Sequence, residues 1–194
     1  MSTIIITGHT SGIGKSLASI FAQHGHTIIG FSRSTGHNID SQDVRDLILS
    51  TEADVFINNA YDPMGQTELL QGFIKRWEGH DKFIINLSSK LVHLPSEVTE
   101  LSAFNEYIEN KKTQNSIIAS RHSIAKPKLL NIMPGLVDTA MASIFEANKI
   151  NPTNLANLIY TLYNFRTHIS IQEIVVDVPG LDWQDIKINL PQDA

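Results

Sequence analysis

The amino-acid sequence predicts a doubly wound α/β domain, in which helices cover both faces of a mainly parallel β-sheet. Short apolar segments rich in β-branched residues alternate with longer segments whose apolar residues recur at helical spacing. A glycine-rich turn joins the first short segment to the first long one. No internal repeat, low-complexity tract or linker divides the 194 residues. We therefore predict a single domain over residues 1–194.

The first strand is predicted at residues 3–7, where a continuous β-branched run is typical of a parallel strand buried on both faces. Similar apolar runs predict the remaining strands at residues 27–32, 54–58, 82–87, 128–133 and 173–176.

The first helix is predicted at residues 13–23, because Ile13, Leu17 and Ile20 are spaced to share one helix face. Gly25 follows as a plausible end signal. Further helices are predicted at residues 41–50, 67–77, 103–120 and 153–164. Strands that alternate with helices in this order favour right-handed crossovers and helices on both faces of the sheet.

One connection departs from this pattern. The segment from Arg33 to Asp40 separates the second strand from the second helix, whereas a parallel crossover needs about a dozen or more residues. The third strand of the sheet is therefore predicted to be stunted or missing.

Composition narrows the possible functions. The formal charge is −5 and Lys and Arg form no dense run, so neither nucleic acid nor an anionic membrane is an expected partner. The absence of Cys excludes disulfides and thiolate chemistry, and the eight His show no metal-binding spacing, so no metal site is expected. We expect a cytoplasmic protein, because no segment resembles a signal peptide or approaches the roughly 20 apolar residues of a membrane span.

The glycine-rich turn, Thr7-Gly8-His9-Thr10-Ser11-Gly12-Ile13-Gly14, lies where the first predicted strand meets the first predicted helix. At such a junction, backbone N–H groups and the positive helix end can hold a pyrophosphate. Gly8 and Gly12 allow close approach of a ligand, and Gly14 allows the helix to pack close to the sheet. The segment predicts a dinucleotide site, although three glycines can also simply form a loop.

The end of the second strand, Phe31-Ser32-Arg33-Ser34, bears on which dinucleotide binds. An acidic residue there favours free ribose hydroxyls, and an Arg favours a 2′-phosphate. This segment has an Arg and no acid, which favours NADP(H) over NAD(H), with Ser32 and Arg33 at the phosphate. The alternative is that Arg33 is a solvated surface residue.

A second group of polar residues suggests catalysis. The strand at residues 82–87 ends in Ser88-Ser89, and Tyr107 and Lys111 lie one turn apart on a predicted helix. A nearby ammonium lowers the pKa of a phenol, which suits proton transfer to or from an alkoxide. Ser89 could donate a hydrogen bond to the substrate oxygen, with Ser88 as the alternative. Taken alone, an exposed Tyr and Lys on one helix face would look the same.

Three motifs together resemble the short-chain dehydrogenase/reductase family. The turn at residues 7–14 resembles its TGxxxGIG fingerprint, Asn58-Asn59-Ala60 its NNAG strand end, and residues 131–139 its N-x-x-PG-x-x-x-T segment. The resemblance covers nearly the whole chain and implies a Rossmann-type fold. The residues then expected at the cofactor are Gly8, Thr10, Ser11, Gly12, Ile13, Gly14, Ser32, Arg33, Asp40, Asn59, Ala60, Lys111, Pro134, Gly135, Val137 and Thr139.

The resemblance implies NAD(P)(H)-dependent interconversion of a carbonyl and an alcohol on a small molecule. Tyr107 would be the acid/base, Lys111 its activator and Ser89 the group that polarises the substrate. A homodimer or homotetramer is expected from the same likeness.

Several features depart from the family pattern. Tyr61 replaces a Gly, residues 58–86 are short enough to suggest a trimmed helix, and residues 67–77 contain no match for the family's catalytic Asn. Residues 90–103 form an enlarged loop that could shape a substrate pocket or displace Ser89. The alternative function is therefore an NADP(H)-binding sensor or scaffold with little or no turnover.

Overall fold

The computed structural model describes residues 1–94, 104–121, 123–183 and 186–188. Six parallel strands form the main sheet: β1 (Thr3–Thr7), β2 (Thr27–Phe31), β3 (Val55–Asn58), β4 (Phe83–Leu87), β5 (Lys128–Pro134) and β7 (Glu173–Val176). Their order across the sheet is β2-β1-β3-β4-β5-β7. The helices are α1 (Gly12–Gln23), α2 (Gln42–Ser50), α3 (Gly65–Arg76), α4 (Asn105–Ala119) and α5 (Pro152–Phe165). The α/β sheet predicted from the sequence is confirmed.

The two faces of the sheet carry separate apolar cores. Ile4 and Ile6 of β1 pack with α1 and α5, whereas Ile5 between them packs with α2, α3 and α4. Successive side chains of a strand point to opposite faces, so a strand buried on both sides must be apolar throughout. Because they are buried on both faces, the central strands appear in the sequence as unbroken apolar runs.

The predicted shortening lies between β2 and β3. Among the described residues β2 is an edge strand of the sheet, and Arg33–Thr35 forms a single 3₁₀ turn where a third strand would begin. The buried guanidinium of Arg45 donates to the carbonyls of Ile39 and Asp40 at 2.8 and 2.7 Å and pairs with Glu68. Arg45 thereby fixes the short connection to α2.

Residues 58–86 hold one complete crossover, because α3 joins the neighbouring strands β3 and β4. The stretch that the sequence suggested was too short for the usual pair of elements therefore contains the single helix α3. Of the predicted loop at 90–103, Lys90–His93 forms a 3₁₀ turn, and residues 95–103, including the predicted helix start at Ala103, lie outside the described residues.

A smaller antiparallel pair lies near the carboxyl edge of the main sheet, formed by β6 (Phe145–Glu146) and β8 (Lys187–Ile188). A third apolar cluster, with Leu91, Phe145 and Trp183, packs beside it. Within the described parts of the chain, no helix combines the length and apolar character needed to span a membrane.

Candidate active site

A cavity of about 690 Å³ opens at the carboxyl ends of the strands. The chain runs from β1 outward to β2 and then returns to β3 on the other side of β1, so the sheet order reverses beside β1. Ligands of open α/β sheets bind in the crevice at such a reversal. The cavity lining includes all the sequence-predicted site residues except Gly14 and Asp40.

The glycine-rich turn is folded tightly around Gly8 and Gly12, whose φ angles of 72° and 50° lie in the left-handed region. Side chains on the neighbouring strand end hold it there. Thr7 Oγ1 accepts the backbone N–H groups of Asn59 and Ala60, both at 3.0 Å, and Asn59 Nδ2 donates to Thr7 O at 2.9 Å. The motifs at residues 7–14 and 58–60 thus form one structural unit.

Gly14 faces the protein interior and not the cavity. A Cβ there would lie 2.2 Å from the carbonyl oxygen of Gly8, so only glycine lets α1 approach the turn this closely. Gly14 therefore serves the packing of α1 against the turn, as expected. It does not line the cavity, although the resemblance also expected it at the cofactor.

The N-terminus of α1 suits a phosphate group. Ser11 precedes the helix, and its side chain makes no capping hydrogen bond to any described residue. The first turn carries no acidic side chain. Ser11, Gly12 and Ile13 line the cavity, so the first N–H groups of the helix and its positive dipole end are available to an anion. These residues fit the pyrophosphate of a dinucleotide.

A group of hydroxyls lies next to Arg33 at the end of β2. Thr10 Oγ1 and Ser34 Oγ are 2.8 Å apart, and Ser32 Oγ lies 3.2 Å from Thr10 Oγ1. Arg33 is exposed and forms no ion pair with any described residue. Asp40 is exposed outside the cavity, where the lining residues are Asn38 and Ile39. The shortened connection explains this placement, because Arg45 holds Asp40 by its carbonyl.

Ser89, Tyr107 and Lys111 come together at the other end of the cavity. The Ser89 side chain lies beside the Tyr107 hydroxyl. Ser88 Oγ instead donates to Asn115 Oδ1 at 2.7 Å, which occupies it in the scaffold. The geometry therefore favours Ser89 over Ser88 as the residue that polarises a substrate.

Burial shifts both titratable groups of this set. Removal from water raises the pKa of Tyr107 to about 12, although the neighbouring Ser89 hydroxyl opposes the shift. Burial lowers the pKa of Lys111 to about 7. The phenol is thus held in its protonated form, and the lysine can change charge near neutral pH.

Lys111 is anchored by residues that the sequence did not reveal. Its Nζ donates to Gln66 Oε1 at 2.7 Å and to the carbonyl of Leu87 at 2.6 Å. The rings of Tyr61 and Tyr107 flank it, with centroids 5.6 and 5.4 Å from Nζ. Tyr61, noted as a departure from the family pattern, therefore forms part of the site wall.

A row of buried amides supports this end of the site. Asn58, Asn86 and Asn131 lie in register on β3, β4 and β5. Asn58 Nδ2 donates to Asn86 Oδ1, and Asn86 Nδ2 donates to Asn131 Oδ1, both at 3.0 Å. Asn58 Nδ2 also donates to the carbonyl of Gln66 at 2.9 Å, which connects the row to the residue that holds Lys111.

The cavity wall nearest Tyr107 is mostly apolar. It includes Leu91, Phe104, Leu136, Phe145 and Trp183. From the sequence, Trp183 is expected to serve packing or an interface. It does pack in the third apolar cluster, and it also lines the cavity.

An ion pair behind this wall holds three segments together. Lys90 pairs with Asp177, and the Trp183 indole N–H donates to Asp177 Oδ2 at 2.8 Å. A Cβ at Gly135 would lie 2.2 Å from Asp177 Oδ1. The chain is therefore tightly packed at the end of β5. From there it lines the cavity with Pro134, Gly135, Val137 and Thr139.

Comparison with known proteins identifies the fold of this chain. No protein-family model matches the sequence, and no curated protein matches it. Solved structures do match. A 3-ketoacyl-(acyl-carrier-protein) reductase from Brucella melitensis, complexed with NADH, has a TM-score of 0.72 at 18% identity, covering 90% of this chain and 96% of its own.

Two further structures agree. A short-chain dehydrogenase/reductase from Vibrio parahaemolyticus has a TM-score of 0.72 at 16% identity, covering 92% of this chain and 98% of its own. An alcohol dehydrogenase from Thermococcus sibiricus, complexed with 5-hydroxy-NADP, has a TM-score of 0.69 at 12% identity, covering 90% and 95%. The sheet order, the cavity at its carboxyl edge and these matches together show that this chain has the fold of the short-chain dehydrogenases/reductases.

Proposed function

We propose that this protein is an NAD(P)(H)-dependent oxidoreductase that interconverts a carbonyl and an alcohol on a small molecule. One observation carries the proposal: Ser89, Tyr107 and Lys111 line the same cavity as the glycine-rich turn, and Tyr107 and Lys111 lie one turn apart on α4. The ligands of the structural neighbours support it, since the Brucella and Thermococcus structures contain NADH and 5-hydroxy-NADP.

Each side chain has a distinct task. A nicotinamide dinucleotide bound along the cavity supplies or accepts the hydride. Ser89 donates a hydrogen bond to the carbonyl oxygen, where negative charge develops. Tyr107 gives its phenolic proton to that oxygen during reduction and takes it back during oxidation. In its protonated form, which predominates below its pKa of about 7, Lys111 stabilises the tyrosinate that results.

The protonation of Tyr107 favours reduction at neutral pH. With a pKa raised to about 12, the phenol is protonated throughout the physiological range and is ready to donate. Oxidation needs the tyrosinate. Below the pKa, the tyrosinate population rises tenfold with each increase of one pH unit. We therefore expect oxidation of an alcohol to require alkaline conditions.

NADP(H) is the proposed dinucleotide. The exposed Arg33 guanidinium and the hydroxyls of Thr10, Ser32 and Ser34 lie together on the cavity wall. Arg and hydroxyl groups are suited to a 2′-phosphate, and no acidic residue among the described lining would favour free ribose hydroxyls instead.

The proposed substrate is a small carbonyl compound with an uncharged, apolar body. Five apolar side chains surround the approach to Tyr107. The nearby Lys90 and Asp177 charges are paired with each other behind the wall. A carboxylate or phosphate on the substrate would lose its water against these five apolar side chains without gaining a partner from them. The cytoplasmic location and the homo-oligomeric state stay predictions. Light scattering would measure the oligomeric state.

A substrate panel tests the reaction class. Purified protein is mixed with NADPH or NADH and matched neutral and carboxylated aromatic ketones, and absorbance at 340 nm follows the reduced dinucleotide. We expect turnover of neutral ketones with NADPH. If NADPH binds at micromolar concentration but no carbonyl is reduced, the protein is a nucleotide-binding sensor or scaffold and the proposed activity is rejected.

A further inference from the structure

The strongest unexplained feature of the site is the way Lys111 is held. Lys111 is 2% exposed, and its ammonium has two acceptors among the described residues, Gln66 Oε1 and the carbonyl of Leu87. Both acceptors are uncharged. The titratable groups that face it are two phenols, Tyr61 from the loop after β3 and Tyr107 from its own helix. No ion pair within the described ranges includes Lys111.

The orientation of the Gln66 carboxamide is fixed by its other partners. Its Nε2 donates to the carbonyls of Asn58 and Leu87 at 3.1 and 3.2 Å. Its Oε1 accepts from Lys111 and also from Gln114 Nε2, at 3.3 Å. An ammonium can only donate, so the oxygen must face Lys111. The side chain is fully buried and cannot turn toward water.

We infer that Gln66 is a positioning residue for catalysis, which holds the Lys111 ammonium beside Tyr107 without neutralising it. This inference rests on the proposed function, because it assigns Gln66 a task in that reaction. An ammonium has three N–H donors, and Gln66 and Leu87 use two of them. The third N–H group is not used by these two acceptors and is available to the cavity, which Lys111 lines.

The chemistry explains why an amide suits this position better than a carboxylate. A Glu at residue 66 would pair with the ammonium and cancel much of its field at Tyr107. An apolar residue would remove one of two acceptors from a buried charge, which disfavours the charged form. An amide oxygen stabilises the ammonium and leaves its charge effective at the phenol.

The test measures Lys111 directly. Lysine side chains labelled with ¹³C at Cε are titrated by NMR in the wild type, Gln66→Glu and Gln66→Leu proteins, and Lys111→Met assigns the signal. We expect Lys111 to titrate at higher pH in Gln66→Glu and at lower pH in Gln66→Leu. Asn131→Leu is the matched control, because it removes an equally buried amide that is hydrogen-bonded to Asn86 and Asn115 and not to Gln66 or Lys111. It should leave the titration unchanged.

Two further readouts separate the possible failures. In Gln66→Leu, kcat should fall about tenfold or more, with the KM for the ketone changed much less. If the wild type reduces no carbonyl, the proposed function fails, while the Lys111 titration still decides the role of Gln66. If Lys111 titrates at the same pH in all four proteins, Gln66 has only a structural role.

The wild type provides a measurement that does not depend on whether the variants fold. The side-chain amide signals of Gln66 should shift with the midpoint of Lys111. Amide signals that do not follow this titration would overturn the inference.

Discussion

Gly14 lies so close to Gly8 that a Cβ on Gly14 would be 2.2 Å from the Gly8 carbonyl oxygen. Helix α1 can therefore meet the glycine-rich turn only without a side chain at residue 14. The closeness also places the first N–H groups of α1 at the cavity, where Ser11, Gly12 and Ile13 line the wall.

Gly14→Ala should lower both stability and NADPH affinity. Ala favours a helix over Gly by about 1 kcal/mol, but the clash with backbone cannot be relieved without moving the turn. We expect a net loss of about 1–3 kcal/mol in the free energy of unfolding, measured by urea denaturation. Lys15→Ala, an exposed change on the same helix, should alter the stability by less than about 0.5 kcal/mol. An Ala variant as stable as wild type would contradict this account.

Arg33→Ser should change the dinucleotide preference. A charge-assisted hydrogen bond contributes about 1.5–3 kcal/mol, so the Kd for NADPH should rise about 10–100-fold. The Kd for NADH should change little, because it lacks the phosphate. Fluorescence titration of both dinucleotides measures the two values. An equal loss for both would show that Arg33 does not recognise the 2′-phosphate.

The stability of the ligand-free protein should depend on pH through Lys111. Its pKa is about 7 in the folded protein and 10.5 as the ordinary value. Between these values the unfolded chain binds a proton that the folded protein does not, so the free energy of unfolding rises with pH across this window. The rise should be on the order of a few kcal/mol.

Lys111→Met should remove that rise, while Lys112→Met, on the exposed neighbouring side chain, should keep it. Denaturation curves at a series of pH values between 7 and 10 make the comparison. Parallel pH profiles for wild type and Lys111→Met would show that the buried lysine keeps its ordinary pKa.

Asp177→Ala should loosen the substrate end of the cavity. The change leaves Lys90 without its ion-pair partner and the Trp183 indole N–H without its acceptor. We expect a loss of about 1–3 kcal/mol in the free energy of unfolding and a higher KM for the ketone. Asp177→Asn keeps an acceptor for Trp183 and should show a smaller effect. Equal KM values for wild type and Asp177→Ala would separate this ion pair from substrate binding.

Much of the fold could be predicted because its signals are local. Apolar runs identify strands, and Tyr107 and Lys111 share a helix face because they are four residues apart. The absence of a third strand could also be predicted, because the segment between Arg33 and Asp40 is short. The position of Asp40 did not, because it depends on Arg45, whose contacts form only in the folded chain.

The residues that the sequence did not reveal act through long-range contacts. Gln66 lies 45 positions from Lys111, and Asp177 lies 87 positions from Lys90. The predicted start of α3 at residue 67 also fell two residues late and left Gln66 outside the helix. Buried amides carry no periodic signal, so only the packing of α3 against α4 and β4 shows what Gln66 contacts.

In the proposed reaction, Tyr107 exchanges a proton with the substrate. The most direct test compares wild type and Tyr107→Phe for NADPH affinity and for reduction of a neutral aromatic ketone at pH 7. We expect the Phe variant to have an NADPH Kd within about threefold of wild type and a kcat lower by about 100-fold or more. A Phe variant that reduces the ketone as fast as wild type would contradict this role of Tyr107.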